Sequence, residues 1–276
     1  MSDLVQEKLS DAALHGRVSE VSSLLNDHPE INVNWIDEIQ YTALHIASLE
    51  GHDEVVKLLL AHPDINVNVK DDVAQTPLSK GCEEGKVSVV RMLLKDPRVD
   101  VTLDDRLNRT PLWWASDGGR DDVIEWLIAS GRDLGDFQNK KGGGRMCTAL
   151  QAAPTREVVS LLERFIANPT LTRHEVRVNL GVLEEVAAEV FALTVFLCDD
   201  LLQLKPALGA ASTSEFARRF FTITKRLPME LQMILCHSAV GSPKQNILRR
   251  DSEAAFKSLA RILLLDLSQP HYDPFA

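Results

Sequence analysis

Few residues in this chain stand at spacings that could do chemistry. Gly81-Cys82-Glu83-Glu84-Gly85-Lys86 has the look of a phosphate-binding loop, in which glycine-flanked backbone amides and a lysine cradle a phosphate. The spacing is one residue short, however, and Val87 stands where a hydroxyl would hold magnesium. The segment is therefore expected to be a turn between two helices. Gly142, Gly143 and Gly144 follow no strand and open no helix, so residues 140–145 read as a long, mobile loop. Eight histidines are scattered, and none pairs with a cysteine or carboxylate at metal-ligand spacing. The four cysteines, at 82, 147, 198 and 236, lie far apart, which fits a reducing compartment and excludes a disulfide-stapled scaffold or a zinc ribbon. No serine sits in a nucleophile elbow, and no cysteine has a local catalytic signature. Asn108-Arg109-Thr110 is a glycosylation triplet in form only, since no secretory signal precedes it. A chain without catalytic residues, cofactor or metal is expected.

The elements beneath these residues are set by an internal repeat, which decides the fold. Thr42-Ala43-Leu44-His45, Thr76-Pro77-Leu78-Ser79 and Thr110-Pro111-Leu112-Trp113 start 34 residues apart. Val21, Val55, Val89 and Val123 keep that step, as do Leu25, Leu59, Leu93 and Leu127. Within a unit, Leu44, Ala47 and Ser48 form a short helix face and Gly51-His52 marks a turn. Val55, Val56, Leu58 and Leu59 then sit at helical spacing on a second helix, and a polar strand-like stretch comes next.

Residues 42–68 carry Thr42-Ala43-Leu44-His45-Ile46-Ala47, Gly51-His52, Val55-Val56-Lys57-Leu58-Leu59 and Asn66-Val67-Asn68, a pattern that resembles ankyrin repeats. The period is one residue longer than the usual 33, with the extra residue in the loop after the second helix. A 34-residue period also suits tetratricopeptide repeats, but their Trp, Tyr and Ala positions are missing. Five repeats are expected over residues 4–168, the first atypical because a terminal repeat faces water. The fifth is irregular, as Thr148 arrives 38 residues after Thr110. The fold class implied is all-α: a solenoid of helix-turn-helix units with β-turn fingers over 1–170, then a small helical domain over 171–276 that caps it.

The resemblance also implies a function. Ankyrin proteins bind partner proteins on a concave face made of the fingertips and the first helices. Aligned on the threonines, the variable positions are Glu38, Ile39 and Tyr41; Asp72, Val73 and Gln75; Arg106, Leu107 and Arg109. On the first helices they are Leu49, Glu50, Glu83, Glu84, Asp117 and Gly118. Aliphatic and aromatic side chains among charges suit an interface with an apolar centre and a polar rim. Trp35 and Trp114 join them as anchors, while Trp113, in the histidine position, reads as packing. Gln40, Ala74 and Asn108 replace the glycine common at that finger position. A non-enzymatic scaffold, acting as a monomer on a protein partner, is the reading these residues support.

Beyond Asn168-Pro169-Thr170 the repeat stops. A long apolar helix is expected within 173–204, with Leu183, Val186, Val190, Leu193 and Leu197 in step, and further helices near 213–226, 228–240 and 251–265. Leu227-Pro228-Met229-Glu230-Leu231, with Ile234-Leu235 just after, resembles the opening of F-box motifs and a C-terminal motif of some viral ankyrin proteins. That likeness implies an alternative: a substrate adaptor engaging a ubiquitin-ligase component through 227–240. The same residues also describe a generic helix start.

Charge is unevenly distributed. The net charge of -10 belongs to residues 1–150, which hold 26 acids and 16 bases, whereas 151–276 hold 14 of each. Residues 205–265 hold ten bases against four acids. The acidic repeats argue against nucleic acid, whose affinity rests on Lys and Arg. The longest apolar run, 190–198, is shorter than the roughly 20 residues a membrane span requires, so a cytoplasmic protein with no membrane partner is expected.

Overall fold

Each full repeat begins where a threonine ends one finger and starts a helix. Thr42, Thr76, Thr110 and Thr148 hold an extended backbone, and each hydroxyl accepts the N–H three residues on: His45 (3.3 Å), Ser79 (3.2 Å), Trp113 (3.2 Å) and Gln151 (3.3 Å). Such a cap is worth about 1 kcal/mol. His45 and Gln151 return a bond to the cap's own N–H, and Pro77 and Pro111 occupy the first turn, where no donor is needed.

In the computed structural model, which describes residues 2–143, 147–198, 229–240, Ile247 and Ala255, the chain forms two units, Met1–Val176 and Arg177–Ala276. The first unit holds five helix pairs: α1 (Ser2–Leu14) with α2 (Val18–Asp27), α3 (Ala43–Glu50) with α4 (Asp53–Leu60), α5 (Pro77–Glu83) with α6 (Val87–Lys95), α7 (Pro111–Asp117) with α8 (Asp121–Ala129), and α9 (Ala149–Ala152) with α10 (Arg156–Ala167). First helices pack in a row, α1–α3–α5–α7–α9, and second helices in a parallel row, α2–α4–α6–α8–α10. Between the rows Leu44, Leu78, Leu112, Leu59, Leu93, Leu127, Val55, Val89 and Val123 are buried. At about 1.5–3 kcal/mol for each buried aliphatic side chain, this register-locked core is the main stabilising term.

Polar side chains cross-link successive repeats at the same period. Asn34 donates to Asp64 O (2.7 Å) and accepts from Asn66 N–H (2.7 Å), and 34 residues later Asn68 does the same with Arg98 O (2.8 Å) and Asp100 N–H (2.9 Å). Arg98 reaches back to Leu60 O (2.8 Å), and Arg132 reaches back to Leu94 O (2.8 Å), Val99 O and Asp96 O. The segment Gly81–Lys86 is, as expected, the end of α5 and the turn after it. Gly85 takes φ +70°, and a Cβ there would lie 2.8 Å from Arg120 Cδ, so both the turn and the arginine laid over it require glycine. Lys86 in turn lies over Gly51 of the preceding repeat.

The fifth repeat keeps its cap but loses most of its first helix: α9 is four residues long, and Thr155 starts α10 by accepting Val158 N–H (3.4 Å). The glycine-rich insert departs from the mobile loop expected at its base. Gly142 and Cys147 exchange both backbone bonds (2.9 and 3.1 Å), and Gly143 N–H donates to Leu107 O (3.1 Å). A Cβ on Gly143 would meet the Trp113 ring at 2.9 Å, so close packing dictates this glycine.

The long apolar helix expected within 173–204 is α12 (Val182–Cys198), and α11 (Pro169–Asn179) precedes it, the two parted at Gly181 with φ +70°. In the first unit, Thr172 donates to Arg164 O (2.9 Å) and Arg173 Nε to Ile128 O (3.2 Å). In the second, α12 packs on α13 (Met229–Val240). The buried face of α12 is Leu183, Ala187, Ala188, Phe191 and Ala192, while Val186, expected on the apolar stripe, is 37% exposed. Alanines permit a close approach that the larger valines would block. The helices expected at 213–226 and 251–265 lie outside the described residues, apart from helical Ala255, which packs with Ala188 and Ala192. No described helix is long and apolar enough to cross a membrane.

Candidate functional site

Fingers are built around one aspartate each. Asp37 Oδ1 accepts the N–H groups of Ile39 (3.0 Å) and Tyr41 (2.8 Å), Asp71 those of Val73 (3.0 Å) and Gln75 (2.7 Å), and Asp105 those of Leu107 (2.8 Å) and Arg109 (3.0 Å). The backbone closes the same turns, with Gln40, Ala74 and Asn108 donating to the aspartate carbonyls. These three residues take φ of +61°, +67° and +58°. They adopt the left-handed conformation that glycine would, and the finger keeps its turn.

The three aspartates differ in how their charge is met. Asp71 is fully buried, with Lys80 Nζ 3.0 Å from Oδ2. Lys80 comes from α5, is itself 5% exposed, donates also to Gln75 Oε1 and lies 4.9 Å from the Tyr41 ring centroid. Burial disfavours its charge, yet bonding to Tyr41 and to Asp71 outweighs that and raises its pKa. Asp105, equally buried, is met from within its own finger: Arg109 Nε donates to Oδ2 at 2.6 Å. The Arg109 guanidinium then covers Trp114, 4.0 Å from the ring centroid. Asp37 is half-exposed.

Finger bases also anchor onto the preceding helix. His45 Nδ1 accepts Thr42 N–H (3.2 Å), so Nε2 carries the proton and donates to Gln75 O at 3.2 Å. Burial lowers the His45 pKa to about 4, which keeps the ring neutral. Trp113 does the same work in its repeat, donating Nε1–H to Cys147 O at 3.0 Å; Gln75 and Cys147 each directly precede a capping threonine. Ser79, too short to reach, bonds Thr76 Oγ1 instead (3.1 Å).

Among the residues expected to form the face, Glu38, Ile39, Glu50, Asp72, Val73, Arg106, Leu107 and Asp117 are exposed. Trp35, Tyr41, Leu49, Glu83, Arg109 and Trp114 are half-buried. Gln75 departs from the expectation: it is 3% exposed, with its amide nitrogen donating to Glu83 Oε2 (2.9 Å) and its carbonyl accepting Lys80. The Asp71–Lys80 pair draws it inward. Tyr41 stacks on His45 with ring centroids 5.7 Å apart. Sequence reasoning passed over Asp71, Asp105 and Lys80, although the recurrence of aspartate at 37, 71 and 105 was a legible signal.

The second finger joins the third edge to edge, and the third joins the insert. Arg106 N–H donates to Val73 O and Gly143 N–H to Leu107 O, both at 3.1 Å. At the end of this face Arg109, Trp113, Asp117, Gly143, Cys147, Gln151 and Ala152 line a cleft of about 370 Å³. Cys82, on α5, is fully buried, and burial pushes its thiol pKa up. Among the described residues no group of three or more His, Cys, Asp or Glu side chains is placed to hold a metal. In the F-box-like stretch, Leu227 and Pro228 lie outside the described residues, and Met229 onward forms α13.

Paired helices in two rows, with neighbouring fingers bonded along one edge, define a repeat solenoid. The family model for ankyrin repeats, in three copies, matches residues 9–71 and 65–138, and this part of the chain is an ankyrin-repeat array. Ankyrin repeats are protein–protein interaction modules, typically without enzymatic activity. A comparison with curated proteins gives no match.

Proposed function

We propose that the protein is a binding scaffold that captures a partner protein on the face formed by its fingertips and first helices. The observation that carries the reading is the bonding between fingers, through Arg106 N–H to Val73 O and Gly143 N–H to Leu107 O. Exposed side chains at 72, 73, 106 and 107 therefore stand on a braced edge whose backbone needs little further ordering, and those at 38 and 39 extend the same row on the first finger. A surface held ready in this way loses less conformational entropy on association. The buried Asp71–Lys80 pair supports it by tying the second finger to α5, and the Asp105–Arg109 pair by closing the third finger on itself.

Capture by the full chain tests this. Two variants are compared with the parent: Ile39→Ser/Val73→Ser/Leu107→Ser on the face, and Glu54→Ala/Lys57→Ala on the exposed side of α4. Partners lost with the first and kept with the second support the face. Equal recovery by all three chains refutes it.

A further inference from the structure

Ile39, Val73 and Leu107 stand at one position of successive fingers, 34 residues apart, and remain 51%, 39% and 45% exposed. Apolar side chains in a repeated, solvent-facing row are a docking feature rather than scattered surface. Around the row the same face carries carboxylates at Glu38, Asp72, Glu50, Glu83, Glu84 and Asp117, all exposed or half-buried. Among the described residues of the three fingers and of α3, α5 and α7, Arg106 stands against them, since Lys80 and Arg109 are taken by Asp71 and Asp105. The geometry points to a cationic, extended segment of a partner protein as the occupant, with an aliphatic side chain at every third residue and Lys or Arg between. This rests on the reading that the face captures a partner, and names the class of that partner.

Spacing and backbone chemistry select the form of the segment. Packed helices lie about 8–10 Å apart, and each finger is carried by one first helix, so the apolar row has about that repeat. A polyproline-type chain advances about 3.1 Å per residue with three residues per turn, which returns a side chain to the same side every 9.3 Å or so. A β-strand puts residues three apart on opposite faces, and an α-helix matches only at seven residues, about 10.5 Å. Strand addition is further disfavoured because the carbonyls of Val73 and Leu107 already accept from the next finger. Side chains, not main chain, must therefore carry recognition. The aliphatic residues would sit on Leu107, Val73 and Ile39, with the basic ones facing the carboxylates.

Fluorescence anisotropy with the full chain and labelled twelve-residue peptides tests this. We expect (Leu-Lys-Arg)4 to bind at least tenfold more tightly than (Leu-Glu-Glu)4 or (Ser-Lys-Arg)4, and more tightly than a basic peptide with leucines seven apart. Asp72→Lys/Glu84→Lys and, separately, Val73→Ser/Leu107→Ser should each weaken it tenfold or more, with salt weakening the parent. Equal or tighter binding of the acidic or serine peptide, or no effect of either pair of substitutions, overturns the cationic segment. Tighter binding of the seven-spaced peptide overturns the extended form. If face-dependent capture persists while (Leu-Lys-Arg)4 fails to bind, this inference falls and the scaffold reading stands.

Discussion

Replacing Lys80 with methionine should damage the second finger far more than removing a surface charge would. Lys80 Nζ and Asp71 Oδ2 are 3.0 Å apart, with side-chain exposures of 7% and 0%. At that separation Coulomb's law with an effective dielectric of ~20 gives about 5.5 kcal/mol, most of it offset by desolvation of the pair. Lys80→Met leaves the Asp71 charge buried and unpaired, which costs about 3–5 kcal/mol. Asp71→Asn removes the charge while its Oδ1 still accepts from Val73 and Gln75, so the double variant Asp71→Asn/Lys80→Met should recover most of the loss. Urea unfolding monitored by circular dichroism at 222 nm is the assay. With m near 1–3 kcal/mol/M, Lys80→Met should lower the midpoint by more than about 1 M, and the double variant by much less. Asp37→Asn, at a half-exposed position, should change stability by no more than about 0.5 kcal/mol. A double variant no more stable than Lys80→Met would refute the argument that the pair exists to neutralise a buried finger carboxylate.

Two further outcomes are open to measurement. Ala74 holds φ +67°, a conformation costing a non-glycine residue about 1–2 kcal/mol, so Ala74→Gly should stabilise by about 0.5–1 kcal/mol after the entropy of glycine is subtracted. Asn108→Gly should be near neutral, since asparagine tolerates that region; equal gains at both sites in thermal melts would contradict this account. His45, held near pKa 4 by burial against 6.5 when unfolded, binds a proton more readily in the unfolded chain. Its contribution is therefore present above pH 6.5 and lost as pH falls toward 4, on the order of 3 kcal/mol at most. His45→Gln should flatten the stability profile across that window, and an unchanged acid limb would assign the loss to other groups.

Much of the array was legible without coordinates because the same physical demands recur at a fixed period. Threonine must cap, leucine and valine must fill the space between the helix rows, and glycine must make the turn, so residue type and position coincide every 34 residues. The candidate face came from the same alignment. What the period could not supply were contacts made by residues that break it. Lys80 stands where the other repeats have Ile46 and Trp114, and only the packed structure shows it turned inward to Asp71, taking Gln75 with it. Trp113 gains its partner Cys147 from the way one repeat closes on the next, whereas Arg109 turns back on its own repeat to Asp105 and Trp114. The glycine-rich insert read as loose from composition, yet Gly142 and Gly143 lie against Arg109 and Trp113 because only a residue without Cβ fits there. Local sequence thus determined the caps, turns and core of each unit, since those depend on residues close in the chain or locked to the period. Tertiary structure alone decided which charges are buried, which are paired and which remain at the surface. The energy of a charge depends on its burial and on the side chains folded against it, whether near in the chain, as Asp105 is to Arg109, or a repeat away, as Tyr41 is to Lys80.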